Sequence, residues 1–196
     1  MDVLRTAVSA MSVTDPDVLD ISPQAALVKG LRLTAVVPTI VATHDRLRNG
    51  EEAVAPRSDL SLAANFLYML SGREPTPEDA RLIDKDLILH AEHGVNASAF
   101  AARVAASTEA DFYAAITAGI AVLKGPKHGG AAEGAKKMAL EIDSEDNAQS
   151  YISNLRKNGE RIMGFGHPVY KAVDPRSVHM RADAKALGER MGQPKW

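Results

Sequence analysis

Imidazole is the side chain on which any chemistry of this sequence must turn, because its 196 residues hold six histidines and no cysteine. Without cysteine there can be no disulfide framework, no thiolate metal site and no cysteine nucleophile. His90 and His93 fall in LHAEHGVNAS, His128 in KGPKHGGA and His167 in MGFGHPVYKAVDPR, each beside glycine or asparagine. His44 and His179 sit inside helical patterns and read as surface residues.

His90 and His93 are three residues apart near a helix C-terminus, where they share a face and the helix dipole favours a cationic side chain. Such a pair can bind a carboxylate, or simply cap the carbonyls of the last turn. A zinc site would need a third ligand and the spacing H-E-x-x-H, whereas this is H-A-E-H, so no metal is expected. Around His128, Gly125-Pro126 and Gly129-Gly130 make a tight loop with accessible N–H groups just before a helix, a setting that suits anions and oxyanions. The dipole favours a neutral imidazole there, able to donate a hydrogen bond to a developing enolate oxygen. The plainer alternative is a turn with an incidental histidine. In the third segment His167, Lys171 and Arg176 converge on a Gly-Phe-Gly turn and an Asp174-Pro175-Arg176 step. Arg176 can clamp a carboxylate bidentately and Lys171 can act as a point charge for a phosphate. A basic surface loop accounts for Lys171 alone, less well for the set.

These loops need elements to hold them. Val3, Leu4, Ala7, Val8 and Met11 have helical spacing, and Thr14–Asp17 breaks it. Ser22-Pro23 starts a long helix, bent around Pro38 and resuming to Leu47. Residues 48–57 read as an exposed loop without a packing pattern. Helices follow over 60–71, closed by Gly72, and from Thr76 to near His93, where a cap, a proline and two acids mark the start. Ala-rich helices cover 95–106 and 109–123, and further ones Gly130–Ile142, Glu145–Asn158 and Pro175 onward. Only 161–165 reads as extended. The fold class is therefore all-α, with domains at 1–142 and 143–196 divided at the acid-bearing turn Asp143–Asp146.

Composition narrows the partners. Hydrophobic residues are 45% and charged residues 24%, as in a soluble globular chain. A net charge of -2 offers no attraction to a phosphate backbone, so no nucleic-acid partner is expected. The sequence shows neither a leader nor an uninterrupted apolar run of 18 residues, which predicts no membrane association and a soluble, cytoplasmic protein.

The segments L-H-A-E-H-x-x-N-A-S, G-P-x-H-G-G-A and G-F-G-H-x-V-Y-K-x-x-D-P-R resemble, in this order and near these spacings, the signature segments of citrate synthases. The likeness extends over the whole chain, including the opening MDVLRTAVS. In that family an N-terminal region precedes this part and considerable sequence follows it, so the chain reads as the middle of such an enzyme, a truncated form or fragment. The resemblance implies a large helical domain plus the beginning of a small one. It implies an acyltransferase of the tricarboxylic acid cycle that condenses acetyl-CoA with oxaloacetate to citrate and CoA, with no cofactor beyond the acetyl-CoA substrate.

By that resemblance His93 and Asn96 line the oxaloacetate pocket, His128 polarises the thioester carbonyl as it enolises, and His167 binds and protonates the oxaloacetate carbonyl. Arg176 would hold an oxaloacetate carboxylate. Lys171 would lie near a CoA phosphate, and the backbone of Ile162, Met163, Gly164, Phe165 and Gly166 would follow the adenine. The family's base is an aspartate well beyond this segment, and after His167 only Asp174 and Asp183 remain, the latter on an exposed helix. Further arginines, one donated by a partner subunit in the family, are also missing, and Pro168 stands where arginine is common. The chain alone is thus expected not to turn over. A 2-methylcitrate synthase using propionyl-CoA is the nearest alternative, and a non-catalytic helical dimer keeping the fold is another. A homodimer through the small-residue helices within 95–123 is expected, or else burial of those helices inside one chain.

Overall fold

The computed structural model describes residues 1–167 and 170–193, which form helices joined by turns, with no strand among them. In order these are α1 (Asp2–Thr14), α2 (Pro23–Arg48), α3 (Leu62–Ser71), α4 (Pro77–His90), α5 (Ala97–Ser107), α6 (Phe112–Leu123), α7 (Gly130–Ile142), α8 (Glu145–Lys157) and α9 (Arg176–Arg190). Short polar residues set the starts of five of them. Side chains of Ser22, Ser61, Thr76, Asn96 and Asp111 each accept the amide three residues on, satisfying a donor that the helix cannot. Residues 161–165 form turns at Met163–Gly164 rather than extended chain.

The helices fall into two compact units, Met1–Lys124 and Gly125–Trp196. In the first, α6 lies against α1 and α5, α2 against α1 and α3, and α3 against α4. Val8, Leu33, Tyr113 and Ile120 form its core. The break after α1 is the polar centre of this core. Asp15, 7% exposed, accepts the fully buried Tyr113 hydroxyl at 2.6 Å and the Asp17 amide at 3.0 Å. Arg32 Nη1 donates to the same hydroxyl at 3.3 Å. Lys29 is buried too, its ammonium held by the carbonyls of Asp17, Val18 and Asp20 at 2.6, 3.3 and 2.7 Å. A buried ammonium needs such oxygens, since burying it unpaired would be very costly.

Several expectations change. α2 runs unbroken through Pro38 and contains an 18-residue stretch of mean hydropathy 1.6, long and apolar enough by length and composition to cross a membrane. The segment after α2 is an exposed loop, as expected, and it is anchored at two points. The Glu52 carbonyl accepts Arg46 Nε at 2.5 Å, and Asn65 exchanges hydrogen bonds with the Arg57 backbone at 3.0 and 2.6 Å. His44 is half-buried, not on the surface. Asp183 on α9 is half-buried as well.

In the second unit α7 and α8 pair across a tight turn at Asp143. Its φ of 61° is rare for a residue with a side chain, and the Ser144 amide bonds back to Ile142 at 2.7 Å. The domain boundary expected at this turn lies inside the unit. Tyr151 on α8 donates to Glu141 on α7.

The Asp15 carboxyl is held below its ordinary value of 3.8, first by the Tyr113 hydroxyl and next by the Asp17 amide. A depressed carboxyl contributes stability that is present above its unfolded value and lost as pH falls through its folded one. Tyr113→Phe is therefore expected to lower the urea midpoint at neutral pH. The gap from wild type should narrow as pH drops below about 3.8; a gap that is constant or grows in acid would contradict this role for Asp15.

Candidate active site

In the first unit, α4 ends at His90, whose side chain bonds back onto the last turn. His90 Nδ1 donates to the Asp86 carbonyl at 2.8 Å, and the Ala91 amide bonds to Ile88 at 3.2 Å. His93 therefore lies beyond the helix, half-buried in the turn 91–96, and does not share a helical face with His90. The capping alternative accounts for His90. Asn96 is the N-cap of α5, its Oδ1 accepting the Ala99 amide at 2.9 Å.

The second unit carries the remaining candidates. His128 sits in a turn in which the amides of His128 and Gly130 both donate to the Gly125 carbonyl, at 2.9 and 3.2 Å. Those of Ala131 and Ala132 bond to His128 and Gly129 at 3.0 and 3.1 Å. Four amides of the expected loop are therefore engaged within the turn itself.

The turn of Ile162, Met163, Gly164, Phe165 and Gly166 rests on the same helix. A Cβ on Gly134 would meet Met163 Cε at 2.8 Å, so the methionine is seated directly on the glycine and its flexible end would have to shift for any larger residue. Gly164 has φ +82°, a conformation that side chains rarely adopt, and faces Ala135. Gly134 was missed by sequence reasoning. An isolated glycine inside a helical pattern costs about 1 kcal/mol against alanine, and that anomaly was the available signal.

His167 Nδ1 accepts the Tyr170 amide at 3.0 Å, and the two rings stack with centroids 4.5 Å apart. Arg176, the first residue of α9, is paired with Asp174 through Nε to Oδ1 at 3.1 Å and Nη2 to Oδ2 at 2.7 Å. Asp174 also takes the Arg176 amide at 3.0 Å. The Asp174 carboxylate pushes the Arg176 guanidinium further into its charged form. The pair fixes the orientation of the Arg176 guanidinium. Lys171 is exposed; Pro168 lies outside the described residues. Among the described residues no group of three or more His, Cys, Asp or Glu could hold a metal ion.

A family model described as "Citrate synthase, C-terminal domain" matches residues 1–196. The chain belongs to the citrate synthase family. It is 47% identical over 196 residues to citrate synthase 2 of Bacillus subtilis, covering all of this chain and 53% of that protein. It is 43% identical over 200 residues to 2-methylcitrate synthase 1 of Corynebacterium glutamicum, again with all of this chain and 53% of that protein covered. Among solved structures, the Thermoplasma acidophilum citrate synthase in ternary complex with carboxymethyl coenzyme A and oxaloacetate superposes with a TM-score of 0.87 at 32% identity, covering 97% of this chain and 50% of that one. The Pyrobaculum aerophilum citrate synthase gives 0.83 at 43% identity, over 98% and 50%. The chain thus spans about half the length of the relatives it matches.

The capping role of Asn96 can be measured by itself. Asn96→Ala should cost about 1 kcal/mol in chemical denaturation from the lost cap, whereas Asn96→Ser keeps an acceptor and should stay within a few tenths. If both variants unfold alike, the cap is not what holds Asn96.

Proposed function

We propose that this chain is the substrate-polarising part of a citrate-synthase-type acyltransferase acting on acetyl-CoA and oxaloacetate in the cytoplasm. The reaction removes a proton from the acetyl methyl, forms a carbon–carbon bond to the oxaloacetate ketone, and hydrolyses the thioester to release citrate and CoA. His128 stabilises the enolate oxygen, and His167 polarises and then protonates the ketone oxygen. Arg176 holds a substrate carboxylate, with His93 and Asn96 completing the oxaloacetate pocket. Lys171 neutralises a CoA phosphate, and the backbone of 162–166 follows the adenine.

The observation that carries this reading is the common support of two of these parts. The His128 turn leads directly into α7, and the Met163–Gly164 turn packs on Gly134 and Ala135 of that helix. An imidazole meant for the thioester and a backbone meant for the adenine of one CoA molecule need such a shared frame, because small misplacements of reacting groups are costly in rate.

A 2-methylcitrate activity is favoured by a separate observation, the 43% identity to a protein named 2-methylcitrate synthase. Propionyl-CoA differs by one methylene, worth only about 1–3 kcal/mol in a pocket, so few residues need change. The proposed assembly is a homodimer. Within the chain α6 is buried against α1 and α5, while α5 keeps Phe100 and Val104 more than half exposed as an apolar face for a partner copy.

No aspartate after His167 is placed as a base within these residues: Asp174 is committed to Arg176, and Asp183 stands on α9. Losing a general base costs roughly 10²–10⁴-fold. In a free-thiol assay with acetyl-CoA or propionyl-CoA, the purified 196-residue chain is expected to release CoA no faster with oxaloacetate than His128→Ala does. It should still bind oxaloacetate in calorimetry, weakened at least about tenfold by Arg176→Ala. Robust thiol release that vanishes in His128→Ala would overturn the missing base; absence of saturable oxaloacetate binding would overturn the reading itself.

A further inference from the structure

We propose that Tyr170 is a positioning residue that sets the tautomer and ring plane of His167. Two separate contacts from one residue converge on the imidazole. The main-chain N–H of Tyr170 donates to Nδ1 at 3.0 Å, and the phenol ring lies over the imidazole at 4.5 Å between centroids with 25° between planes. An imidazole nitrogen that accepts a hydrogen bond keeps its lone pair in the ring plane, so the proton of the neutral ring resides on Nε2. The stack restrains rotation about the Cβ–Cγ bond, which would otherwise carry Nδ1 away from the amide. Offset stacking of this kind contributes beyond simple burial.

The division of burial fits a support role. Tyr170 is half-buried while His167 is exposed, so the more anchored ring holds the more accessible one. His167 follows Gly166, whose φ is +79°, a backbone conformation that side chains rarely adopt. Held by Tyr170, the side chain presents a donor at Nε2, which is the polarity that a ketone oxygen requires. That last consequence rests on the oxaloacetate reading of His167; the tautomer and ring plane do not.

The test uses the full chain labelled with ¹⁵N. Unmodified protein is expected to show a through-hydrogen-bond ¹⁵N–¹⁵N coupling between the Tyr170 amide and His167 Nδ1, together with Nε2 as the protonated nitrogen and nuclear Overhauser contacts between the two rings. Tyr170→Phe keeps the ring and should preserve all three signals. Tyr170→Ala keeps the amide but removes the stack, and should lose the coupling while helical circular dichroism is unchanged. Oxaloacetate affinity should fall about tenfold in Tyr170→Ala and be restored in Tyr170→Phe, as expected for misplacing one hydrogen bond to a charged ligand. A protonated Nδ1 or missing ring contacts in the unmodified chain would overturn the proposal even if Tyr170→Ala failed to fold. A coupling that persists in a folded Tyr170→Ala would overturn it too. Loss of the coupling without loss of oxaloacetate affinity would uphold the positioning role and remove His167 from the ketone.

Discussion

The hydrogen bond from the Tyr113 hydroxyl to Asp15 is the interaction on which the first unit depends. It joins residues 98 positions apart in a fully buried setting, and it draws the break after α1, the middle of α2 through Arg32, and the start of α6 to one point. Removing one partner of such a pair leaves a polar group buried without compensation, which costs more than the bond contributes when made. From there the dependence runs outward. α6 placed on α1 gives α5 its floor, where Gly119 comes so near the Ser98 carbonyl that a Cβ would stand 3.3 Å from it. α5 in turn begins at Asn96, beside His93. The candidate substrate groups of this unit are thus surface features whose coordinates are set by a polar contact in the core.

The second unit solves the same problem differently. Among its described residues Gly188 alone is buried, so no apolar core orients the side chains that chemistry would use. Local geometry does so instead. Gly125 accepts two amides to close the turn of His128, Met163 is seated on Gly134, Asp174 holds Arg176, and Tyr170 holds His167. Each of these contacts spans few residues or a single helix face. Such an arrangement keeps cationic and imidazole groups reachable, which burial would have prevented at a high desolvation cost.

Much of this was legible in the sequence where local rules decide. Pro23 after Ser22, Pro77 after Thr76 and Gly72 after Ser71 mark helix ends by dihedral and hydrogen-bond preference alone, and the helices begin and end there. The histidine segments were also readable, since glycine and asparagine beside a titratable group are visible in one dimension. What escaped was set by partners far along the chain. Asp15 and Lys29 read as ordinary polar residues of a loop and a helix, because nothing local signals that Tyr113 and three carbonyls will enclose them. His93 read as helical because the pattern ran on, whereas α4 ends at His90, whose side chain bonds back to Asp86. The pairing of Asp174 with Arg176 was available from their spacing but was read as a clamp awaiting a substrate, not as an ion pair already made.

If the proposed function is right, His167 and Arg176 bind oxaloacetate. The most direct measurement is a titration of the imidazole ¹⁵N and ¹³C resonances of the full chain with oxaloacetate. The account predicts that His167 shifts along a saturable isotherm that Arg176→Ala weakens, while His44 and His179 stay unmoved. No saturable shift of His167, or equal movement of all six histidines, would contradict it.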